Sequence, residues 1–195
     1  MILVIGRPAL GERGGLQGNA ALLAVSAARA GAQVELVGSV GDDDEGDAVA
    51  VELARAGIGH AALLRDPAGA TPRGSRPAPG PAPRLDASDV ELGLHYLADC
   101  RVLVLAEWLG EEALEVGRAA AAYHSAELIV LLDSQTPEPQ NLPARATLLR
   151  VPPEGGAAFA DVVGRYAAAL AAGQPAAPAW AAALAGTGWS ETGEA

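Results

Sequence analysis

Five carboxylates stand close together at Asp42, Asp43, Asp44, Glu45 and Asp47. Such a run could hold Ca²⁺ or Mg²⁺, but it lacks the Asp-x-Asp-x-Asp-Gly order and the distant bidentate Glu of an EF-hand loop. Negative side chains at the start of a helix meet its dipole favourably, and that structural reading is preferred. No metal site is expected. His60, His95 and His124 have no ligand spacing and read as surface or boundary residues. Cys100 opens an apolar run, where a small thiol is commonly buried and inert, so a nucleophilic role is the lesser reading. Glu107 and Trp108 follow the run Val102 to Leu105, and Asp133 follows Leu128 to Leu132. If those runs are parallel strands, all three stand at the carboxyl edge where α/β proteins form ligand sites. Glu107 and Trp108 are the better contacts, because capping or turn formation explains Asp133 equally well.

All 13 basic residues are arginine. Without lysine there is no P-loop lysine, no Schiff base and no lysine general base. A net charge of -11 argues against nucleic acid, which needs a basic face. Seven aromatic residues give little for base stacking. No apolar stretch approaches the roughly 20 residues of a membrane span. MILVIG has neither a basic segment before its apolar run nor a small-residue cleavage site after it, and the single cysteine has no internal partner. A cytoplasmic address is therefore expected.

Elements that could position these groups alternate along the chain. Short apolar runs without alternation predict strands buried on both faces at Ile2 to Ile5, Val34 to Val37, Ala61 to Leu64, Val102 to Leu105, Leu128 to Leu132 and Thr147 to Val151. Helical segments fall between them at Ala20 to Ala30, Gly46 to Ala56, Ser88 to Leu97, Glu111 to His124, Asp161 to Ala171 and Ala176 to Leu184. Asp86 and Ser88 can cap the third helix, while Gly31, Gly57 and Gly173 sit where helices end. Asp66 to Arg84 carries six prolines and reads as a surface loop, mobile or partly extended. The expectation is a single α/β domain over 1–185 with a flexible tail over 186–195.

Two segments resemble the ribokinase, or PfkB, family of carbohydrate kinases. Gln17 to Gly31 reads QGNAALLAVSAARAG, and Val34 to Ile58 reads VELVGSVGDDDEGDAVAVELARAGI. Gly38, Val40, Gly41, Asp42 and Gly46 fit the family's Gly-x-Val-Gly-x-Asp turn. LDASDVELGLHYLADCRVLVLAEWL, LIVLLDSQTPEPQNLPARATLLRVPP and DVVGRYAAALAAGQPAAPAWAAALA resemble its later units less specifically. The resemblance implies a three-layer α/β/α sandwich on a mainly parallel sheet of roughly six strands. It also implies sugar phosphorylation with ATP and magnesium, and substrate contacts near Gly18, Asn19 and Asp42.

Departures from the family pattern bear on that activity. Members are about half as long again. Gly6 to Leu16 leaves room for a loop only, where the family places a substrate Asp and a small β-sheet lid, so the lid sheet is expected to be absent. Aligned without gaps, the sugar-contacting Asn falls on Leu22; a second register that pairs Gly14 and Gly15 with the glycine pair recovers Asn19 but needs three extra residues. The ungapped register is preferred and Asn19 is the fallback. The Gly-Ala-Gly-Asp motif, whose N–H groups stabilise the transferred phosphoryl and whose Asp is the base, falls on Ala157, Ala158, Phe159 and Ala160. Asp161 lies one residue beyond. In a rival alignment VPPEGGAA matches the family's Pro-Asn-x-x-Glu segment, with Pro153 and Gly156 replacing its polar residues. The strands that wrap the nucleotide have no counterpart.

The resulting expectation is a family relative that has lost phosphotransfer and serves as a small-molecule-binding or interaction module, without cofactor, facing a sugar-like ligand through Gly18, Asn19, Asp42, Glu107 and Trp108. The alternative is an active sugar or nucleoside kinase using ATP and magnesium, with Asn19 on the hydroxyls and Asp161 as base. Lid strands often join subunits in the family, so their loss leaves a homodimer to some other face.

Overall fold

In a computed structural model the described residues are 1–74, 79–97, 99–140, 142–143, 145–153 and 156–185. The expected tail, 186–195, lies outside them. Eight strands run as β1 (Ile2–Ile5), β2 (Ala9–Leu10), β3 (Leu16–Gln17), β4 (Val34–Gly41), β5 (Gly59–Asp66), β6 (Val102–Leu105), β7 (Glu127–Leu132) and β8 (Ala146–Arg150). Among the described residues six helices run as α1 (Asn19–Arg29), α2 (Asp44–Arg55), α3 (Ala87–His95), α4 (Glu111–His124), α5 (Gly156–Ala171) and α6 (Ala176–Ala185).

Ile2, Leu3, Val4 and Ile5 are all fully buried, which explains why this strand lacks a polar alternation. β1 lies inside a six-stranded sheet of order β5-β4-β1-β6-β7-β8, and every pairing in it is parallel. Residues on one face, such as Ile2 and Val4, pack with α1, α2, α5 and α6. Leu3 and Ile5 on the other pack with α3 and α4. Each side chain so buried contributes about 1.5–3 kcal/mol relative to exposure. The architecture is the three-layer α/β/α sandwich. Among the described residues no helix is long and apolar enough to cross a membrane.

Local chemistry sets the helix ends. Asp86 and Asp89 form a reciprocal capping box at α3. Asp43 caps α2 by accepting from the Gly46 N–H at 2.7 Å, with Asp44, Glu45 and Asp47 in the first turn, so the acidic run has the structural role assigned to it. Asp133 ends its strand in a turn, accepting from the N–H groups of Gln135 and Thr136 and from the Thr136 hydroxyl.

Three segments differ from the sequence expectations. Where Gly6 to Leu16 left room for a loop only, β2 and β3 pair antiparallel as a ribbon of two residues per strand, turned through Gly14 and Gly15 at positive φ. α5 begins at Gly156, five residues before the expected Asp161, because Ala157 to Ala160 are good helix formers and Phe159 is drawn into the core. The described parts of the proline-rich segment after β5, 67–74 and 79–84, are tied down. Ala70 and Thr71 are buried, Leu10 donates its N–H to the Pro72 carbonyl, and Arg84 donates its N–H to Asp66.

Candidate functional site

Strand order fixes where a ligand crevice can form. From β1 the chain passes through α1 to β4 on one side, whereas β6 pairs with β1 on the other. The carboxyl ends of β1 and β6 therefore flank the point where the order reverses, which is where open α/β sheets bind ligands. Gly6 and Arg7 leave β1 there, and Ala106 and Glu107 leave β6.

Backbone crowding holds the first of these segments. A Cβ on Gly38 would stand 2.4 Å from the Gly6 carbonyl oxygen, so glycine is required where β4 passes the end of β1. The next residue, Arg7, donates its backbone N–H to Glu107 Oε1 at 2.5 Å. Its Nε lies 3.1 Å from both carboxylate oxygens and its Nη2 2.6 Å from Oε2. Nη1 donates to the Pro83 carbonyl at 3.4 Å. The Glu107 hydrogen bonds and charge raise the Arg7 pKa further against the opposing effect of burial. The crevice is thus bridged by a fork-on-carboxylate pair, both members still partly exposed.

Gly18 precedes α1 with φ 81, and its α-carbon faces the Arg7 carbonyl and the Ala9 N–H. Asn19 is the first residue of α1 and is half-buried. Trp108, also half-buried, packs on the core layer beneath α3 and α4. Gly18 therefore stands against the Arg7 loop that Glu107 holds; Asn19 follows Gly18 at the start of α1, and Trp108 follows Glu107 but packs on the α3–α4 layer, opposite α1. Asp42 is placed elsewhere on the same edge. Its N–H donates to Asp66 across β4 and β5, and its side chain is exposed.

Asp161 is not part of this constellation. Its Oδ1 accepts from Ser26 Oγ at 2.7 Å and its Oδ2 from Arg165 Nε at 2.9 Å. It lines a separate cavity of ≈ 540 Å³ between α1 and α5, together with Leu22, Ser26, Arg29 and Arg165. Leu22, the position matched to the sugar-contacting Asn, opens into that cavity. Phe159, matched to the second glycine of the catalytic motif, is 2% exposed within the core. Among the described residues no three His, Cys, Asp or Glu side chains are grouped to hold a metal ion.

Sequence reasoning passed over a second knot at the edge. Gly41 donates its N–H to Thr71 Oγ1 at 2.8 Å, and the Thr71 N–H donates to Asp43 Oδ2 at 2.8 Å. Burial raises the Asp43 pKa, but the Thr71 and Gly46 hydrogen bonds and the Arg65 charge outweigh it and hold the carboxyl below its ordinary range. An Asp three residues ahead of Gly46 was the available signal for this cap. Nothing local announced Arg7 or Thr71.

No family model and no curated protein matches the sequence. Solved structures do resemble it. An E. coli protein assigned as ribokinase II, solved with ATP and Mg²⁺, aligns with a TM-score of 0.65 at 14% identity, over 93% of this chain and 89% of that one. A ribokinase assignment from Agrobacterium tumefaciens aligns at 0.55 and 15% identity, over 92% and 87%. Aminoimidazole riboside kinase of Salmonella enterica aligns at 0.51 and 18% identity, over 70% of this chain and 50% of that one. The fold is ribokinase-like.

Proposed function

We propose that this ribokinase-like chain does not transfer phosphate and instead binds a small polar, sugar-like ligand at the crevice between β1 and β6. One observation carries the first half: the nearest carboxylate to the catalytic-motif position, Asp161, is engaged by Ser26 and Arg165 in the α1–α5 groove, apart from the crevice. A general base must lie within hydrogen-bond reach of the proton it takes. The residues present also fit ATP and magnesium poorly. The buried Phe159 ring replaces a glycine of the expected anion hole, and among the described residues no carboxylate cluster stands ready for the metal.

The binding half rests on what faces the crevice. The Glu107 carboxylate is engaged by Arg7, whose partly exposed guanidinium is left to an incoming molecule, with the half-buried Asn19 and Trp108 on the flanking segments. Oxygen-rich ligands with an apolar ring face suit such a surface. A cytoplasmic setting belongs to the same reading, as does the absence of a nucleic-acid partner.

The test combines turnover and binding. The chain is assayed for ATP- and magnesium-dependent phosphorylation over a panel of sugars and nucleosides, and the same panel is screened by thermal shift, since a native-state ligand raises apparent stability. The expected result is no phosphorylation and a ligand-dependent rise in melting temperature that Asn19→Ala reduces. Turnover that Asp161→Ala abolishes would establish an active kinase, and a panel without any stabilising sugar, polyol or nucleoside would remove the binding role.

A further inference from the structure

We infer that the cavity between α1 and α5 is a second ligand site, taking an aliphatic carboxylate whose head lies between Arg29 and Arg165 and whose chain lies along Leu22 and Val25. It does not depend on the reading of the crevice between β1 and β6. The cavity encloses ≈ 540 Å³, within the range of small-molecule sites. Leu22, Val25 and Arg29 recur at the spacing that sets side chains on one face of a helix, and Ala158, Asp161 and Arg165 do the same on α5. Both helices run from the carboxyl edge of the sheet to its amino edge. The Gln33 carbonyl just past α1 accepts from the Ile2 N–H at the start of β1, and Arg101, just ahead of β6, donates to the Ala171 carbonyl at the end of α5. The apolar Leu22 and Ala158 therefore lie toward one end of the cavity, and the two guanidinium groups toward the other. Leu22 and Arg29 stand two turns apart, about 10 Å along the helix, which is the length of a chain of about eight carbons.

Charge selects the head group. The charged lining residues are two arginines and one aspartate, so a single positive charge is left over in a chain whose net charge is -11. That balance suits a monoanion rather than a phosphate ester, which carries nearly two charges at neutral pH. Asp161 acts as a strut for the cation. The buried Ser26 hydroxyl donates to its Oδ1 at 2.7 Å, and its Oδ2 accepts from Arg165 Nε at 2.9 Å. Held by Nε, the Arg165 guanidinium keeps both Nη groups without a hydrogen-bond partner among the described residues. Arg29, exposed on the last turn of α1, forms no ion pair among them either. Guanidinium N–H pairs match the two oxygens of a carboxylate.

Octanoate is the probe, titrated into the protein by calorimetry at low ionic strength, where screening is weak. One saturable site is expected. Octanamide, which keeps the chain without the charge, and acetate, which keeps the head without the chain, should each bind about ten-fold more weakly or worse. Arg29→Gln and Arg165→Gln should each weaken octanoate about ten-fold, while Arg55→Gln, at an exposed arginine on α2, leaves it unchanged. Circular dichroism confirms that each variant is folded. Octanoate that fails to bind, binds no better than octanamide, or is indifferent to both Arg29→Gln and Arg165→Gln overturns the inference. Inorganic phosphate held more tightly than octanoate by the same two arginines would overturn it as well.

Discussion

Arg7 and Glu107, 100 residues apart in the chain, close on each other across the carboxyl ends of β1 and β6, with Nη2 2.6 Å from Oε2 and the Arg7 backbone N–H on Oε1. One residue supplies both a charged fork and a main-chain donor to a single carboxylate. The pair holds the loop after β1 to the loop after β6, so it shapes the crevice as well as occupying it. Because both side chains keep partial access to water, its contribution is held to about 1–2 kcal/mol. Arg7→Ala should lower the free energy of urea unfolding by that amount. Arg7→Lys should recover less than half, since an ammonium cannot reproduce the two-pronged contact. A double-mutant cycle with Glu107→Ala separates the pair from the rest.

Cys100 should be nearly silent toward thiol reagents in the native protein. Burial pushes its pKa up to about 11, with the thiol donating to the Val102 carbonyl at 3.3 Å. Against an ordinary thiol near pKa 8.5, the thiolate fraction at neutral pH falls by roughly three-hundred-fold, before steric access is counted. Titration with a chromogenic disulfide should show less than one per cent of the unfolded rate, and full reaction once denaturant is added. Rapid native labelling would place the residue at the surface and reopen a nucleophilic role.

Much of the scaffold was legible because its signals are local. Ile2 to Ile5 and Val102 to Leu105 are unbroken aliphatic runs, and both strands have those bounds. Glu111 to His124 begins with two acids and continues in alanine, and α4 has those bounds too. β4 runs four residues past the expected Val37, because Gly38, Ser39 and Gly41 interrupt the apolar run while their backbones still pair with Leu63, Leu64 and Asp66. Pairing of that kind depends on a neighbour not yet known from the chain. The crevice was legible only as far as strand ends could be placed. Glu107 and Trp108 follow directly from them, whereas Arg7, Pro83 and Thr71 reach the edge through contacts 28 or more residues apart in sequence. Asp161 was attractive by adjacency to a motif position. Its partners Ser26 and Arg165 are set by the crossing of α1 and α5, which adjacency does not encode.

Asp43 gives the acid limb of stability a specific component. Its folded-state pKa lies below the ordinary carboxylate value, so its contribution is complete above that value and is lost as pH falls through the lower folded one. The carboxyl is half-buried, and the magnitude is therefore taken from one hydrogen bond to it, about 1 kcal/mol, rather than from the shift. Asp43→Asn keeps an oxygen for the Gly46 N–H but turns an NH2 toward the Thr71 N–H, and should cost about that much near neutral pH. The two unfolding curves should converge well below about pH 4, where the aspartate is itself protonated and the two side chains become alike. Parallel curves at all pH values would assign the cost to packing instead of charge.

Gly164 should resist the substitution that usually helps a helix. Replacing an internal helical glycine with alanine ordinarily gains about 1 kcal/mol from backbone entropy. At Gly164 the added Cβ would stand 2.5 Å from Ser26 Cβ and 2.7 Å from the Leu23 carbonyl oxygen, both on α1. The obstacle on one side is backbone, so the helices themselves must part, and α1 is already packed on β1 and β4. Overpacking of this kind costs about 1–3 kcal/mol, which outweighs the propensity gain. Parting the helices would also stretch the Ser26 hydroxyl from Asp161, now 2.7 Å away, and free the carboxylate toward Arg165 alone. Gly117 on α4 is the matched control, since its added Cβ would meet only the Leu105 and Leu103 methyl groups at 3.4 Å and beyond. Gly164→Ala should therefore lower the unfolding free energy while Gly117→Ala holds or raises it. Equal effects at the two sites would mean that α1 and α5 do not cross as closely as Ser26 and Gly164 require.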